Sequence, residues 1–346
     1  MTNDRGARRE GPARRPTLSA VAALAGVSPS TVSRVVRGEV PVSGERARAV
    51  QDAIERLGYV PNFAARQLVT DRADAVGVVI PEDQTHVFGE PFFTRLIQGV
   101  AAGLAATPFR FVLVVGRCAD DRQWLEQYVR GRHIDGVMLL APQRGDPLGQ
   151  TLQASGVPVV FIGRPFGLSG ARYLDADNAG GTRRAVHHLY ERGRRHIAMV
   201  TGVRTMRSSH DRHQGYRRGL ADVGLRPDGA LVVESDYTTE GAARATARLL
   251  ERGVPVDAVV AASDTVAYGV LRALRAAGRR VPDDVAVVGF GDDPSSGEID
   301  PPLTTVAQPV EKMGGELARL VVAAVNGEER PRRVVLPTEL VVRRTT

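Results

Sequence analysis

Hydrogen-bond donors cluster in one short segment near the amino terminus of the chain. They are Ser28, Ser30, Thr31, Ser33, Arg34 and Arg37. Hydroxyl and guanidinium groups of this kind contact phosphate oxygens and the edges of bases. Pro29 lies among them without a backbone N–H, so it can offer only apolar contact. The segment therefore suits a polyanion such as DNA, although a solvated helix face has the same composition.

Three short helices are predicted to position these donors. Thr17 is a suitable N-cap for a helix over 18–25, and Ser28 is one for a second helix over 29–37. A third helix is predicted over 44–57. Two helices joined by a turn of about three or four residues, the second with a polar outer face, are typical of a helix-turn-helix. Periodicity alone is equally consistent with a three-helix bundle that has a solvated polar face.

The charge distribution favours nucleic acid as a partner. The chain has 46 Lys and Arg and 39 Asp and Glu residues, a net charge of +7, and Lys312 is its only lysine. The first 70 residues contain eleven Arg against six acids, so most of the excess lies in the first fifth of the chain. Residues 1–16, with five Arg, are predicted to form a disordered basic arm that either contacts phosphates or is inert.

The sequence of this module closely resembles the LacI/GalR family of repressors. The runs that carry the resemblance are LSAVAALAGVSPSTVSRV over 18–35, LGYVPN over 57–62 and AARQL over 64–68. It implies a DNA-binding domain over 17–61 whose recognition helix, 28–37, enters the major groove. Pro29 and Ser30 would help to choose bases, whereas Arg37 stands where many members carry Asn. The implied DNA-binding residues are Thr17, Ser28, Pro29, Ser30, Thr31, Ser33, Arg34, Arg37, Asn62, Ala65 and Leu68.

A hinge is predicted between this module and the rest of the chain, within a linker over 62–74. Asn62 caps a helix of about two turns, which is marginal alone in water. The small side chain of Ala65 allows a second copy to approach. The resemblance implies that Leu68 opens a central base step from the minor groove and kinks the DNA. The alternative is that Leu68 packs against the following domain.

Beyond residue 74, short apolar runs alternate with helical patterns. The runs are 76–80, 111–115, 136–140, 157–162, 197–200, 258–261 and 285–288. The helical patterns lie near 92–106, 120–131, 178–193, 211–224, 238–252, 264–278 and 309–326. This alternation predicts an α/β fold with parallel sheets, and two such series predict two lobes with a ligand at the carboxyl ends of the strands.

The layout resembles periplasmic sugar-binding proteins, as does the effector domain of the LacI/GalR family. Landmarks include PFF over 91–93, DRHQGY over 211–216 and PPLTTV over 301–306, so the resemblance covers residues 17 to about 343. It implies an effector-binding and dimerisation core over 75–346, periplasmic-binding-protein-like, in which the chain crosses three times between lobes. Lobe 1 is then about 75–176 and 307–335, and lobe 2 about 177–306 and 336–346.

Several residues are candidates for contact with a small polar effector, with a sugar as the first choice and a nucleobase-type metabolite as the second. They are Phe93, Arg164, Arg212, Tyr237, Asp264 and Asp292. Arg212 offers a rigid fork of donors that suits vicinal hydroxyls or a carboxylate, and the ring of Tyr237 can stack on a sugar. Alternatively, Phe93 is plain core, Arg212 pairs near Asp211, and Tyr237 is a half-buried edge residue.

Three features depart from the family pattern near the inferred cleft. Gly291 stands where an Asp commonly begins a Phe-Asp-Asp triplet, which leaves Asp292 and Asp293 as weaker candidates beside Arg164. Gly163 also replaces a common Asp, and the loop over 82–90 is longer than usual. These departures leave a sugar and a nucleobase-type metabolite both open as the ligand.

Enzymatic and transport functions lack support in the sequence. It contains no P-loop and no nucleophile elbow, and the single Cys118 permits neither an intrachain disulfide nor a Cys-based zinc site. His187 and His188 lack a carboxylate partner at metal-ligand spacing. No catalytic residue, metal or cofactor is therefore expected. A transport protein would need an export signal, and neither a signal peptide nor an apolar run near 18 residues is present.

These observations predict a cytoplasmic, sequence-specific transcriptional regulator without membrane contact, more often a repressor in this family. We expect a homodimer on a pseudo-palindromic operator in double-stranded DNA, with operator affinity controlled allosterically by the effector. No heptad tail follows the last predicted strand over 340–343, which favours a dimer over a tetramer.

Overall fold

The computed structural model describes residues 16–37, 44–60, 72–82, 84–116 and 119–346. The chain divides into two compact units, Met1–Arg72 and Ala73–Thr346. The predicted hinge over 62–69, with Asn62, Ala65 and Leu68, lies outside the described residues, as do residues 1–15 of the predicted arm.

The first unit has the three predicted helices α1 (Leu18–Ala25), α2 (Pro29–Arg37) and α3 (Gly44–Leu57). Thr17 caps α1, because its Oγ1 accepts a hydrogen bond from the backbone N–H of Ala20 at 3.2 Å. Gly26 ends α1 in the left-handed conformation, with φ 65°. Ser28 Oγ accepts from the N–H of Thr31 at 3.2 Å at the start of α2. The apolar faces meet in a small core of Val21, Ala22, Val32, Val50, Ala53 and Tyr59.

The second unit contains two sheets, each of six strands in the described residues. Sheet 1 has the order β2-β1-β3-β4-β5-β11, and all its neighbouring strands are parallel. Its strands are β1 (Ala75–Ile80), β2 (Arg110–Val115), β3 (Gly136–Leu139), β4 (Val159–Ile162), β5 (Arg172–Ala176) and β11 (Arg333–Leu336).

Sheet 2 has the order β7-β6-β8-β9-β10-β12, parallel except for the last pair. Its strands are β6 (Ile197–Thr201), β7 (Val232–Glu234), β8 (Ala258–Ala261), β9 (Ala286–Gly291), β10 (Thr304–Ala307) and β12 (Glu339–Val341). The predicted α/β fold with a helix-turn-helix and two lobes is confirmed.

Helices cover the faces of both sheets. Those of lobe 1 are α4 (Gln84–Gly89), α5 (Pro91–Leu104), α6 (Ala119–Arg130), α7 (Leu148–Ala154) and α12 (Val310–Val325). Those of lobe 2 are α8 (Asn178–Glu191), α9 (Arg207–Asp222), α10 (Thr239–Glu251) and α11 (Asp264–Ala276). Helices α5 and α12 approach closely because they meet at glycines: a Cβ on Gly99 would lie 2.2 Å from the carbonyl oxygen of Glu311.

The chain passes between the sheets at three places in the described residues: between β5 and α8, between β10 and α12, and between β11 and β12. Two of these crossing segments are hydrogen-bonded to each other, since the N–H of Asp177 donates to the carbonyl oxygen of Leu336 at 2.9 Å. The sheets thus form two lobes that share a narrow connection, with the carboxyl ends of their parallel strands at the cleft.

No single helix in the described part of the chain has both the length and the apolar character to cross a membrane. The bent pair Leu18–Ala25 and Pro29–Val36 passes that test only when its two helices are joined.

Candidate functional site

The second helix of the first unit presents a polar surface. Its apolar side is fixed by Val32, which is fully buried against α1 and α3. Ser28, Pro29, Ser30 and Arg34 are exposed. The exposed donors therefore lie at the start of α2 and one turn further along it, as a helix that enters a major groove requires.

Hydroxyl groups at the start of α2 form a small network. Ser28 Oγ lies 2.8 Å from Ser30 Oγ and 2.9 Å from Thr31 Oγ1. The network holds the exposed hydroxyl of Ser30 in place beside Pro29. The backbone of Arg37 ends the helix, and its side chain lies outside what the structure describes.

A cavity lies in the cleft between the lobes, and its empty space, counted together with the solvent at its mouth, is about 830 Å³. Its lining combines aromatic rings with buried polar groups. Those that matter below are Glu90, Phe93, Asp175, Asn178, Arg212, Tyr237, Phe290, Asp293 and Gln308. Pockets that hold small ligands commonly have this mixture of apolar surface with a few fixed polar groups.

Arg212, on α9, is the most constrained polar group of the cavity. Only 6% of it is exposed. Its Nε donates to Asn178 Oδ1 at 2.8 Å, its Nη2 to Gln308 Oε1 at 3.3 Å, and its Nη1 to the carbonyl oxygen of Ala262. The guanidinium also stacks on Phe290, 3.8 Å from the ring centroid. These contacts fix the guanidinium plane, so its orientation toward the cavity is set before any ligand arrives.

Two predicted aromatic residues line the cavity. Phe93 is 4% exposed and packs edge-on against Phe92 with 5.4 Å between ring centroids, so it belongs both to the core of lobe 1 and to the lining. Tyr237 lies at the end of the loop after β7, with φ 65°, and its Oη is 2.6 Å from Ser209 Oγ. Its ring is thereby held against the cavity.

Three carboxyl groups of the lining have displaced pKa values. Burial, and then the nearby charge of Asp293, raises the pKa of Glu90 to about 8. Burial, and then the charge of Asp264, raises the pKa of Asp293 to about 7. Burial raises the pKa of Asp175 to about 6, although the N–H groups of Arg164 and Ala176 bond to its carboxylate.

Asp264 does not line the cavity. It is fully buried at the start of α11, and its carboxylate accepts from Thr305 Oγ1 at 2.5 Å, Ser296 Oγ at 2.7 Å and the N–H of Asp293 at 2.8 Å. Burial raises its pKa, and these hydrogen bonds oppose the rise. Asp264 therefore positions the loop that carries Asp293.

The side chains of Asp292 and Arg164 also lie outside the lining. Asp292 Oδ1 accepts from Arg343 Nη2 at 2.7 Å, within lobe 2. The side chain of Arg164 is 52% exposed, and its Nη2 lies 3.9 Å from Asp211 Oδ1. The structure thus brings Phe93, Arg212 and Tyr237 together in one cavity. The side chains of Asp292 and Arg164 lie near the cavity but do not line it.

Sequence reasoning missed several lining residues. Glu90 and Asp175 had no motif that marked them, and Gln308 stands in a family landmark but was not a candidate. Glu90 ends the segment over 82–90, which the sequence predicts as a long loop and which the structure shows to contain α4. Asp293 was a weaker candidate than its neighbour Asp292. Buried acids next to an Arg are a signal of a site only once their burial is known.

Residues 17–62 match the family described as bacterial regulatory proteins, lacI family, and residues 186–346 match the periplasmic binding protein-like domain. The HTH-type transcriptional regulator CelR of Thermobifida fusca is 47% identical over 333 residues, which cover 95% of this chain and 98% of that protein. The ribose operon repressor of Halalkalibacterium halodurans is 31% identical over 336 residues, which cover 95% of this chain and 97% of that protein.

Solved structures agree over the same length. A transcriptional regulator CelR–cellobiose complex has 45% identity and a TM-score of 0.77, covering 96% of this chain and 100% of that one. The lac repressor dimer bound to operator and the anti-inducer ONPF has 26% identity and a TM-score of 0.86, covering 96% and 99%. The predicted family resemblance is confirmed: the chain belongs to the LacI family of DNA-binding transcriptional regulators.

Proposed function

We propose that this regulator represses transcription as a homodimer and that cellobiose or a similar disaccharide in the cleft releases it from its operator. The observation that carries the proposal is the cavity between the lobes, in which the fixed guanidinium of Arg212 stands among aromatic rings and buried acids. The regulator acts on DNA and is not an enzyme, and we propose that it works in the cytoplasm.

On the DNA side, we propose that α2 reads the major groove. Exposed Pro29 and Ser30 would choose bases, one by apolar contact and the other by a hydroxyl already oriented by Ser28. The other candidates on this helix, Thr31, Ser33, Arg34 and Arg37, together with Thr17, would contact mainly phosphates.

The hinge completes this proposal. Asn62, Ala65 and Leu68 remain predictions, in which paired hinge helices place Leu68 in the minor groove at the centre of a pseudo-palindrome. A Leu68→Ala variant is then expected to bind the operator more weakly and to leave it less bent. Wild-type affinity with unchanged bending in a gel-shift bending assay would remove Leu68 from this role.

On the effector side, the choice of sugar comes from the solved CelR–cellobiose complex, which is 45% identical to this chain. The cavity is suited to such a ligand. The rings of Phe93 and Tyr237 offer apolar faces, and Arg212 offers oriented donors for hydroxyl oxygens. Arg164, Asp264 and Asp292 would act through the loops that surround the cavity.

Contacts across the cleft offer a path from ligand to operator affinity. A short antiparallel bridge joins Gln143 of lobe 1 to Met206 of lobe 2. Arg95 of lobe 1 donates through Nη1 to the carbonyl oxygen of Asp292 in lobe 2 at 3.1 Å. A ligand that alters the lobe spacing must change these contacts, and allosteric coupling is commonly worth about 1–3 kcal/mol, or about 5–150-fold in affinity.

The test is a fluorescence-anisotropy titration of the palindromic DNA upstream of the gene, in fixed salt, with and without cellobiose. We expect cellobiose to weaken operator binding by about 5–150-fold, and equal concentrations of ribose to have no effect. An operator affinity that is the same at all cellobiose concentrations, together with an unchanged melting temperature of the core, would contradict the proposal.

A further inference from the structure

Two acidic side chains from opposite lobes line the same cavity. Glu90 directly precedes α5 in lobe 1, and Asp293 follows β9 in lobe 2. Only 8% of Glu90 and 5% of Asp293 is exposed. Among the described residues, neither Oε2 of Glu90 nor Oδ2 of Asp293 has a hydrogen-bond partner. Because unpaired buried polar atoms are costly, both oxygens call for a partner that the chain itself does not supply.

We infer that Glu90 and Asp293 form a carboxyl pair that selects the effector by charge, admitting a neutral polyhydroxyl ligand and rejecting an anionic one. The inference rests on the proposed function, because it assigns the chemistry of the same cleft. A hydroxyl group both donates to a carboxyl oxygen and accepts from a protonated carboxyl, so it suits either member of the pair. A carboxylate or phosphate has no proton to donate to the acceptor oxygens of the pair, and the member of the pair that is ionised repels it.

The surroundings keep a proton on the pair near neutral pH. Burial raises both pKa values, to about 8 for Glu90 and about 7 for Asp293, and the charge of Asp293 further opposes ionisation of Glu90. A hydrogen bond with Thr265 opposes the rise for Glu90. The charged groups that face the pair from neighbouring elements are Arg95, Arg212, Asp264 and Asp292, of which the arginines lower the pKa values and the aspartates raise them.

Backbone geometry fixes the position of Asp293. Its N–H donates to Asp264 Oδ2 at 2.8 Å, and Gly291, with φ 139°, adopts a conformation that residues with a side chain rarely adopt. A Cβ on Gly291 would lie 3.3 Å from Asp293 Oδ1. Gly291, which departs from the family pattern, therefore leaves room for the carboxyl group two residues later. Position 291 therefore supplies no acid, but the same loop still presents one to the cavity, at Asp293.

The first experiment measures ligand choice by calorimetry at pH 7. The probes are cellobiose and cellobionate, which share the glucosyl ring, and of which only the second is anionic because its oxidised end is an open-chain carboxylate. Wild type is expected to bind cellobiose about tenfold or more tightly than cellobionate. In the double variant Glu90→Gln with Asp293→Asn, cellobiose should lose about tenfold in affinity and the preference for it should fall. The control is Glu298→Gln, which also replaces a carboxylate by an amide but at an exposed position outside the cavity.

The second experiment needs no ligand and follows thermal unfolding against pH. A carboxyl whose pKa is raised on folding binds its proton more tightly in the folded state, so stability is present at low pH and is lost as pH rises. For this pair the loss should extend from about pH 4 to about pH 8, between the ordinary pKa values of the two carboxyls and their raised values. The double variant should lose the slope above about pH 6, where Asp175, with a pKa of about 6, contributes little, and Glu298→Gln should keep it.

The two experiments separate the two claims. If wild type binds no cellobiose but shows the pH slope, and the double variant lacks it, the carboxyl pair stands and the sugar proposed above is wrong. If the double variant keeps the slope, or if cellobionate binds wild type as tightly as cellobiose, the carboxyl pair does not select the effector and the inference is overturned.

Discussion

Replacement of Arg212 by methionine tests whether the cleft depends on a fixed guanidinium. The Arg212→Met change keeps an unbranched apolar stem and removes the guanidinium with its charge. It leaves three buried acceptors, on Asn178, Ala262 and Gln308, without the donor that they have in the structure. Each orphaned acceptor costs about 1–3 kcal/mol, and the loss of one partner from a buried charge network costs about 3–5 kcal/mol.

These costs overlap, because the same group supplies both the hydrogen bonds and the charge. We therefore expect the free energy of unfolding of the core to fall by about 3–5 kcal/mol. At about 2–4 °C per kcal/mol for a domain of this size class, the melting temperature should fall by about 6–20 °C. Arg212→Lys keeps the charge but loses the planar fork of donors, so its loss should be smaller.

The pH dependence distinguishes charge from packing. Burial raises the pKa values of Glu90 and Asp175, and the charge of Arg212 opposes the rise in both. Without Arg212 both pKa values rise further, so ionisation costs more stability as pH increases. Arg212→Met should therefore be destabilised more at about pH 8 than at about pH 5. A melting temperature within about 2 °C of wild type at pH 8 would refute this account of Arg212.

Two further predictions concern the fold that positions the sites. Thr17→Ala and Ser28→Ala each remove a helix cap from the first unit, so each should lower its stability by about 1 kcal/mol; hydrogen exchange of the α1 and α2 amides would measure this, and unchanged protection would contradict it. Gly99→Ala should destabilise the core by about 1–3 kcal/mol in urea unfolding, because its Cβ would meet the backbone of Glu311. Gly315→Ala is the matched control, since its Cβ would meet nothing closer than 3.7 Å, and equal midpoints for the two variants would argue against the close approach.

The helices of the first unit follow from local signals. Their observed bounds agree with the predicted ranges because Thr17 and the left-handed Gly26 mark the ends of α1, and Ser28 with Pro29 marks the start of α2. The long buried strands were predicted for a similar reason, since runs such as Val76–Ile80 are apolar on both faces.

The strands that were missed depend on distant partners. β10 lies inside sheet 2 although it begins with Thr304 and Thr305, whose polar groups are satisfied by Thr345 and Asp264. β5, β7 and β11 are three to five residues long and carry charged side chains. Such segments become strands because a neighbouring strand supplies their hydrogen bonds, and no local periodicity records that.

Some residues of the candidate site could likewise be predicted from the sequence and others could not. Arg212 and Tyr237 were predicted from resemblance and chemistry, and both line the cavity. Asp292 was preferred over Asp293, but the loop after β9 directs Asp292 to Arg343 and Asp293 to the cavity. The backbone dihedral angles of a loop decide in which direction each side chain points, and no sequence pattern predicts those angles here.

The loop over 291–293 also connects the ligand to the lobes. Arg95 of lobe 1, held by Glu311 through two hydrogen bonds of 2.7 and 3.0 Å, donates to the carbonyl oxygen of Asp292 in lobe 2. The next residue, Asp293, presents its carboxyl to the cavity and has Oδ1 only 3.7 Å from Arg95 Nη1. A ligand that binds Asp293 therefore contacts the loop whose hydrogen bond with Arg95 connects lobe 2 to lobe 1. Since packed interfaces change between discrete arrangements rather than deform continuously, a small shift of this loop is a physically sufficient trigger for a change in lobe geometry.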